Sequence, residues 1–242
     1  MNKVLLKILL TTVIVASGYT LQSQILISLL LGDKLNSGGI EFGLDGGINF
    51  LNQSNTPGAE YLPDWNLGFY FDFKLRNPHL FVHTGVIVKS KMGASGLDPY
   101  DLGNNFLDST FIGGTVDRKI NYFNVPAMLR YRLPNFFHIE GGIQLGLRYT
   151  GFDVFRNNIN TKNDLQYLND VKENFTRLDA GLLGGIGYKF LKGEGITISA
   201  RYFYGLVDVN KELSGSQANS AIYLTASIPI GKGKAEQESQ EN

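Results

Sequence analysis

The chain has no cysteine. That removes disulfides, thiolate metal sites and a thiol for lipid anchoring. Beyond residue 31 it has no run of eighteen apolar residues, so no part of the mature chain crosses a bilayer as a helix. It has no charge of one sign to spare: 22 basic and 22 acidic residues leave a formal net charge of zero. No basic excess recruits nucleic acid, and no partner of that kind is expected. Histidine is scarce, at three residues. His79 falls in a turn signal, while His83 and His138 fall in strand patterns, and no H-E-x-x-H occurs, so no metal is expected. G-x-S-x-G is absent as well. The stretch "GLLGGIG" (181–187) lacks G-x-G-x-x-G spacing and lies inside a strand pattern, so no nucleotide or other cofactor is expected. With no motif to carry chemistry, no catalytic residue is assigned and the chain is not expected to be an enzyme.

What the chain does have is glycine and aromatic rings: 29 Gly, 16 Phe, 12 Tyr and a single Trp. It also has a period of two. In "DWNLGFYFDFKLR" (64–76), Trp65, Leu67, Phe69, Phe71, Phe73 and Leu75 alternate with Asp64, Asn66, Gly68, Tyr70, Asp72, Lys74 and Arg76. Two faces this different mark a strand with a different solvent on each side. The pattern recurs at 40–50, 80–92, 122–133, 137–150, 177–190, 196–206 and 221–230, which makes eight strands. Tight turns are predicted at 77–79, 134–136 and 191–195, and longer loops near 51–63, 93–119, 151–175 and 208–219. Short turns at one end and long loops at the other are the habit of an outer-membrane barrel.

The fold expected is all-β: an eight-stranded antiparallel up-and-down transmembrane β-barrel preceded by a signal peptide. Size decides which face points inward. The bore of eight strands is only just wide enough for side chains to fill. Strand glycines such as Gly43, Gly47, Gly85, Gly142 and Gly181 lie on the polar face, and most large apolar side chains lie on the other. The small, charged face therefore goes inside. About eleven residues at roughly 3.3 Å each span roughly 36 Å, enough to cross the hydrocarbon layer when tilted. Trp65, Tyr149 and Tyr204 toward the long loops, and Tyr131, Phe137, Tyr188 and Phe190 toward the turns, read as interfacial girdles. The rival is a soluble lipocalin-like ligand-binding barrel, which would have to crowd the bulky residues into the bore.

The N-terminus reads as a signal peptide over 1–23: Lys3 and Lys7, a short apolar core, then a small and polar region. A short periplasmic apolar segment (24–37), the barrel (38–230) and a disordered polar tail (231–242) follow. Removing the signal leaves 20 basic and 22 acidic residues.

Inward positions collect the carboxylates Glu41, Asp45, Asp72, Glu140 and Asp179. They also collect the bases Lys74, Arg76, Lys89, Lys91, Arg130, Arg132, Arg148, Arg177, Lys189 and Arg201. Buried charges must pair. The expectation is a lumen charge network built on Glu41, Asp45, Asp72, Lys74, Lys89, Arg130, Glu140, Arg148, Asp179 and Arg201 that plugs the barrel. The alternatives are a narrow anion-preferring solute channel, since bases outnumber acids, and an outer-membrane lipid-modifying enzyme using a His with a Ser or Asp. Pro126 removes a ladder donor and predicts a bulge or local break in the fourth strand. The loops 93–119 and 151–175 exceed what connection requires and are candidates for contact with envelope or secretion proteins. Outer-membrane lipids are the other expected partner.

At "YFNVPAMLRYRL" (122–133) the chain resembles the PorT-like outer-membrane β-barrel family of bacterial "porin family" proteins. Tyr122, Val125, Pro126, Leu129, Arg130 and Tyr131 match its pattern, with Asn124 where an acidic residue is common. "LDAGLLGGIGYKF" and "RYFYGL" are similar to later family segments, and the resemblance covers about 38 to 230. It implies the bacterial outer membrane, eight strands, and for some members a link to a secretion apparatus. It brings no catalytic residues. The last strand departs from the usual end signal by lacking a terminal Phe.

Overall fold

A computed structural model describes residues 39–158, 161, 165–211 and 215–230. The expected signal peptide, the 24–37 segment and the polar tail lie outside the described residues. Among the described residues nine strands form: β1 (Ile40–Gln53), β2 (Leu62–Lys74), β3 (Leu80–Leu97), β4 (Thr115–Arg132), β5 (Phe137–Asn157), β6 (Leu165–Asp170), β7 (Leu178–Lys189), β8 (Thr197–Gly205) and β9 (Asn219–Pro229). All pairings are antiparallel, and the order β4-β3-β2-β1-β9-β8-β7-β5 is closed by pairing of β4 with β5. That is a ring of eight, with β6 as an addition on the upper part of β5, where Phe152–Asn157 pair with Leu165–Asp170.

The alternation sorts the faces as size requires. Asp45, Asp72, His83, Arg130, Glu140 and Arg201 are buried, while Ile139, Ile143, Leu145, Leu182 and Ile186 are exposed on the outer wall. Phe42, Phe69, Phe71 and Phe73 pack ring to ring along β1 and β2, with neighbouring centroids 5.0–6.1 Å apart. An apolar outer wall and a polar bore exclude the lipocalin-like arrangement.

Two strand pairs are far longer than a crossing needs. β3 and β4 have 18 residues each and β5 has 21, against about 9–11 for a tilted transmembrane strand. The expectation of loops at 93–119 and 151–175 is corrected here. Both segments begin and continue as strand before they loop: Met92–Leu97 pair with Val116–Ile120, and β5 continues to Asn157 before β6 returns. The cause is a second apolar core, of Ala94, Leu97, Phe111, Val116 and Phe155, which gives these extensions something to bury beyond the barrel. Between β3 and β4 sits a short helix, α1 (Asn105–Thr110), capped by Asn104, whose side chain accepts from the Phe106 and Leu107 amides.

At the other end the connections are tight. Phe136, Leu191 and Lys192 adopt left-handed backbone there (φ 68°, 50° and 55°), as sharp reversals demand. Pro126 breaks the ladder locally. On the β3 side the pair Thr84–Ala127 is followed only by Ile87–Asn124, without a change of register, and the Thr84 hydroxyl donates to the Pro126 carbonyl at 2.8 Å.

Candidate functional site in the bore and the long hairpins

The bore is filled by named contacts. Arg130, from β4, lies at its centre. Its Nη1 donates to Asp72 (2.6 Å) and its Nε to Glu140 (2.8 Å). Arg201, from β8, answers from the far wall with bonds to Glu140 (2.5 Å) and Asp45 (2.9 Å). His83 sits between them, with Nδ1 2.6 Å from Asp72 and Nε2 3.2 Å from Arg201. Nδ1 also lies 3.1 Å from Arg130 Nη2, so the ring touches both guanidiniums and the Asp72 carboxylate. Nearer the turns, Lys189 pairs with Glu41 at 2.5 Å, and the Tyr70 hydroxyl donates to the same carboxylate at 2.9 Å.

Above the ions the bore turns to amides and then to hydrocarbon. Asn66 bonds Asn49 (2.7 Å), Asn124 bonds Ser90 (2.9 Å) and Asn219 bonds Asp179 (2.8 Å). Leu51, Met92, Ile120, Leu183 and Phe203 then pack with Val171, Phe175 and Val209, which the connections β6–β7 and β8–β9 fold inward. Backbone bonds hold that cap: Val171 N–H to Gly151 and Thr176 N–H to Val209. Arg118 lies over the Phe175 ring at 4.9 Å and forks onto Asp153 at 2.8 and 2.9 Å.

Of the expected network, Glu41, Asp45, Asp72, Arg130, Glu140 and Arg201 meet in ion pairs. Arg148 and Asp179 are buried in the bore but not paired with each other. Arg148 donates to the Thr176 carbonyl at 3.2 Å, and Asp179 accepts from Asn219. Lys74 is corrected: it is exposed where β2 ends, past the wall that would have enclosed it. Lys89 is corrected too. Its Nζ lies 3.4 Å from the centre of the outward Trp65 ring. The reason is a bulge. Ile87 pairs with Asn124 and Ser90 with Tyr122, so Val88 and Lys89 together oppose one residue and the alternation reverses. Ser90 and Met92 then point inward, and Lys91 points out to Asp64. Lys189, already among the inward bases, joins the network through Glu41, while His83 and the inward cap of Phe175 are members that the charge pattern did not supply.

The excess of bases disappears with these corrections. Arg76 and Arg177 are exposed. With Lys74, Lys89 and Lys91 also off the bore, Arg130, Arg132, Arg148, Lys189 and Arg201 face Glu41, Asp45, Asp72, Glu140 and Asp179, one for one.

Beyond the membrane, the paired extensions carry a cleft of about 420 Å³ lined by Tyr100, Leu102, Leu107, Phe111, Ile112 and Phe155. Asp108 fastens its floor by accepting from the Leu102 and Asn104 amides. Tyr100 donates to Asp153 at 3.0 Å and stacks edge-on against Phe155. Burial and the neighbouring carboxylate raise the Tyr100 phenol above its ordinary range.

A hydrolase site has little to stand on. Ser199 Oγ is 3.3 Å and Glu140 3.8 Å from His138, but both approach the same ring nitrogen, Nε2. A relay needs them on opposite nitrogens. No cluster of metal-ligating side chains occurs among the described residues.

Residues 22–211 match the family model described as outer membrane protein beta-barrel domain. The chain belongs to this family. An outer-membrane barrel places its short turns in the periplasm and its long connections outside the cell, so the cleft and the Phe175 cap face the exterior. Among solved structures, the barrel is similar to the attachment invasion locus protein Ail of Yersinia pestis. Identity is 13%, covering 79% of this chain and 99% of that one, with a TM-score of 0.43. It is also similar to Neisserial surface protein A (10% identity, 80% and 99%, TM-score 0.42) and to OprH of P. aeruginosa (14%, 78% and 99%, 0.32). At such identities these likenesses say nothing of activity. A search of curated protein sequences found no match.

Proposed function

We propose that this outer-membrane barrel is a closed, non-enzymatic anchor that works through its extracellular hairpins, contacting another envelope or secretion protein. The observation that carries the reading is the filled bore. Arg130 and Arg201 are buried in ion pairs, and Phe175 and Val171 fold over them from the outside. A conduit would need a continuous wet path, and equal numbers of inward bases and acids give no preference for anions. The strands that outgrow the membrane hold the cleft rigidly, which suits recognition better than a passive connection does. The PorT-like assignment belongs to the same proposal. It is supported by Tyr122, Val125, Pro126, Leu129, Arg130 and Tyr131, and a secretion-linked partner would follow from it.

Planar-bilayer recording of the purified barrel tests the closed state. The expected trace has no unitary steps. Steps that persist in the wild-type protein, and grow in Phe175→Ala, would instead make it a solute channel gated by its cap.

A further inference from the structure

The bulge in β3 puts charge where a barrel wall ordinarily has none. Lys89 and Lys91 on β3 and Lys119 on β4 all leave the outer face, because Ser90, Met92, Arg118 and Ile120 between them are buried. Register sets the three on a rising diagonal: Lys89 beside Leu67, Lys91 beside Asn121, Lys119 beside Gly93. Their depth is fixed by the girdle. Lys89 lies over Trp65, and Phe123 stacks on Tyr149 with centroids 4.6 Å apart on the neighbouring strands. This is the level of the outer-leaflet headgroups.

The diagonal is not self-neutralised. Asp64 holds Lys91 at 2.5 Å. Asp117 faces Arg156 at 3.4 Å. Among the described residues neither Lys89 nor Lys119 has a carboxylate within 4.0 Å. Asn121 and Thr150, bonded to each other at 2.6 Å, add polar groups to the same strip. Ammonium groups at this depth cannot be stabilised by hydrocarbon, and their stems extend them toward the phosphate layer.

We infer that the outward face of β2–β4 is a binding site for the phosphate groups of an outer-leaflet glycolipid, held by Lys89, Lys91 and Lys119 beside Trp65. Lys89 and Lys119 offer phosphate groups two ammoniums with no carboxylate at 4.0 Å or less among the described residues, spaced about four residues apart along the wall with Lys91 between them, and the acyl chains of a bound molecule lie down the apolar wall below. This site does not depend on the hairpins binding a partner.

The test uses the full barrel in nanodiscs, with phosphorylated lipid A, the same lipid A stripped of phosphate, and inorganic phosphate as competitor. Wild type is expected to bind the phosphorylated form preferentially. Lys89→Gln with Lys119→Gln is expected to weaken that binding roughly 25-fold, about fivefold per lysine at a charged surface. Lys192→Gln, in a periplasmic turn, is expected to leave it unchanged. Equal binding of the stripped lipid, or an unaffected double variant, overturns the site. Displacement by millimolar inorganic phosphate overturns the lipid as its source. Should the double variant fail to give the heat-modifiable folded band, Lys89→Arg with Lys119→Arg must bind as wild type. Wild-type affinity must also fall with added salt, and salt-insensitive binding sinks the proposal.

Discussion

Replacing Arg130 with methionine keeps an unbranched side chain of similar reach and removes the fork at the centre of the bore. The structure bounds the cost. Asp72 loses its 2.6 Å partner but keeps His83, and Glu140 loses a 2.8 Å partner but keeps Arg201. Neither carboxylate is orphaned, yet Asp45 and Glu140 would be left to share Arg201, and Asp72 would keep His83 in place of a guanidinium contact. Breaking a buried pair from one side costs about 3–5 kcal/mol, because a charge is left in a poorly hydrated place. That is the loss expected for Arg130→Met. If the loss is electrostatic, adding Asp72→Asn should return more than half of it, since the double variant restores the balance of charge. Trp65, the only tryptophan, faces the lipid and reports insertion by its emission. Urea titration of protein folded into vesicles, read by Trp65 emission and by heat-modifiable mobility, gives each variant's stability. A single variant within about 1 kcal/mol of wild type, or a double variant at the sum of the two singles, would refute the buried network as a source of stability.

Other parts of the molecule answer to separate measurements. A Cβ on Gly85 would overlap the Phe69 carbonyl oxygen and stand 2.9 Å from the Tyr70 Cα, so Gly85→Ala should cost about 1–3 kcal/mol in the same titration. Leu182, 53% exposed on the outer wall, should tolerate apolar replacements but lose about 2–4 kcal/mol as arginine; no loss would mean that wall does not meet lipid. For Tyr100 the raised phenol means that its contribution is fully present below the unfolded value near 10 and is lost as pH rises. Protease resistance of the 99–113 segment should therefore decline in wild type above about pH 10, and should be lower but flat with pH in Tyr100→Phe.

The ring of eight was legible in the sequence because each strand meets two immiscible surroundings, and period-two alternation records that directly. Trp65 through Phe73 show it best. Three things escaped. The β3 and β4 extensions escaped because their inward positions, Ala94, Arg118 and Ile120, mix charge with hydrocarbon and so blur the alternation. The Phe175 cap escaped because a residue folded inward from a connection obeys no strand period. Lys89 and Lys91 escaped because a bulge is one residue of backbone geometry that no side-chain pattern announces, and everything after it changes face. Pro126 was the converse case, since a missing N–H is a chemical fact that the sequence states outright. The ion pairs lay between these extremes. The pattern gathered Asp72, Arg130, Glu140 and Arg201 on one face, but pairing them needed the stagger of the strands around the ring.

The bulge also explains why bore and rim have the charges they have. Without it, regular alternation from Ile87 would carry Lys89 and Lys91 into the bore and turn Ser90 and Met92 out. Two more ammoniums would then face a set of bases and acids already matched, at a desolvation penalty of several kcal/mol each. Disrupting one position of a ladder costs less than that, so the chain bulges, the bore stays neutral and the lysines emerge beside Trp65. Deleting Val88 removes the extra residue while leaving Ile87 inward, Lys89 outward and Ser90 inward. The deletion should therefore insert normally, hold stability within about 1 kcal/mol of wild type and keep Lys89 on the outer face, where a cysteine in its place remains open to a lipid-soluble thiol reagent. Failure to insert, or protection of that cysteine, would show that the bulge serves something other than the parity of β3.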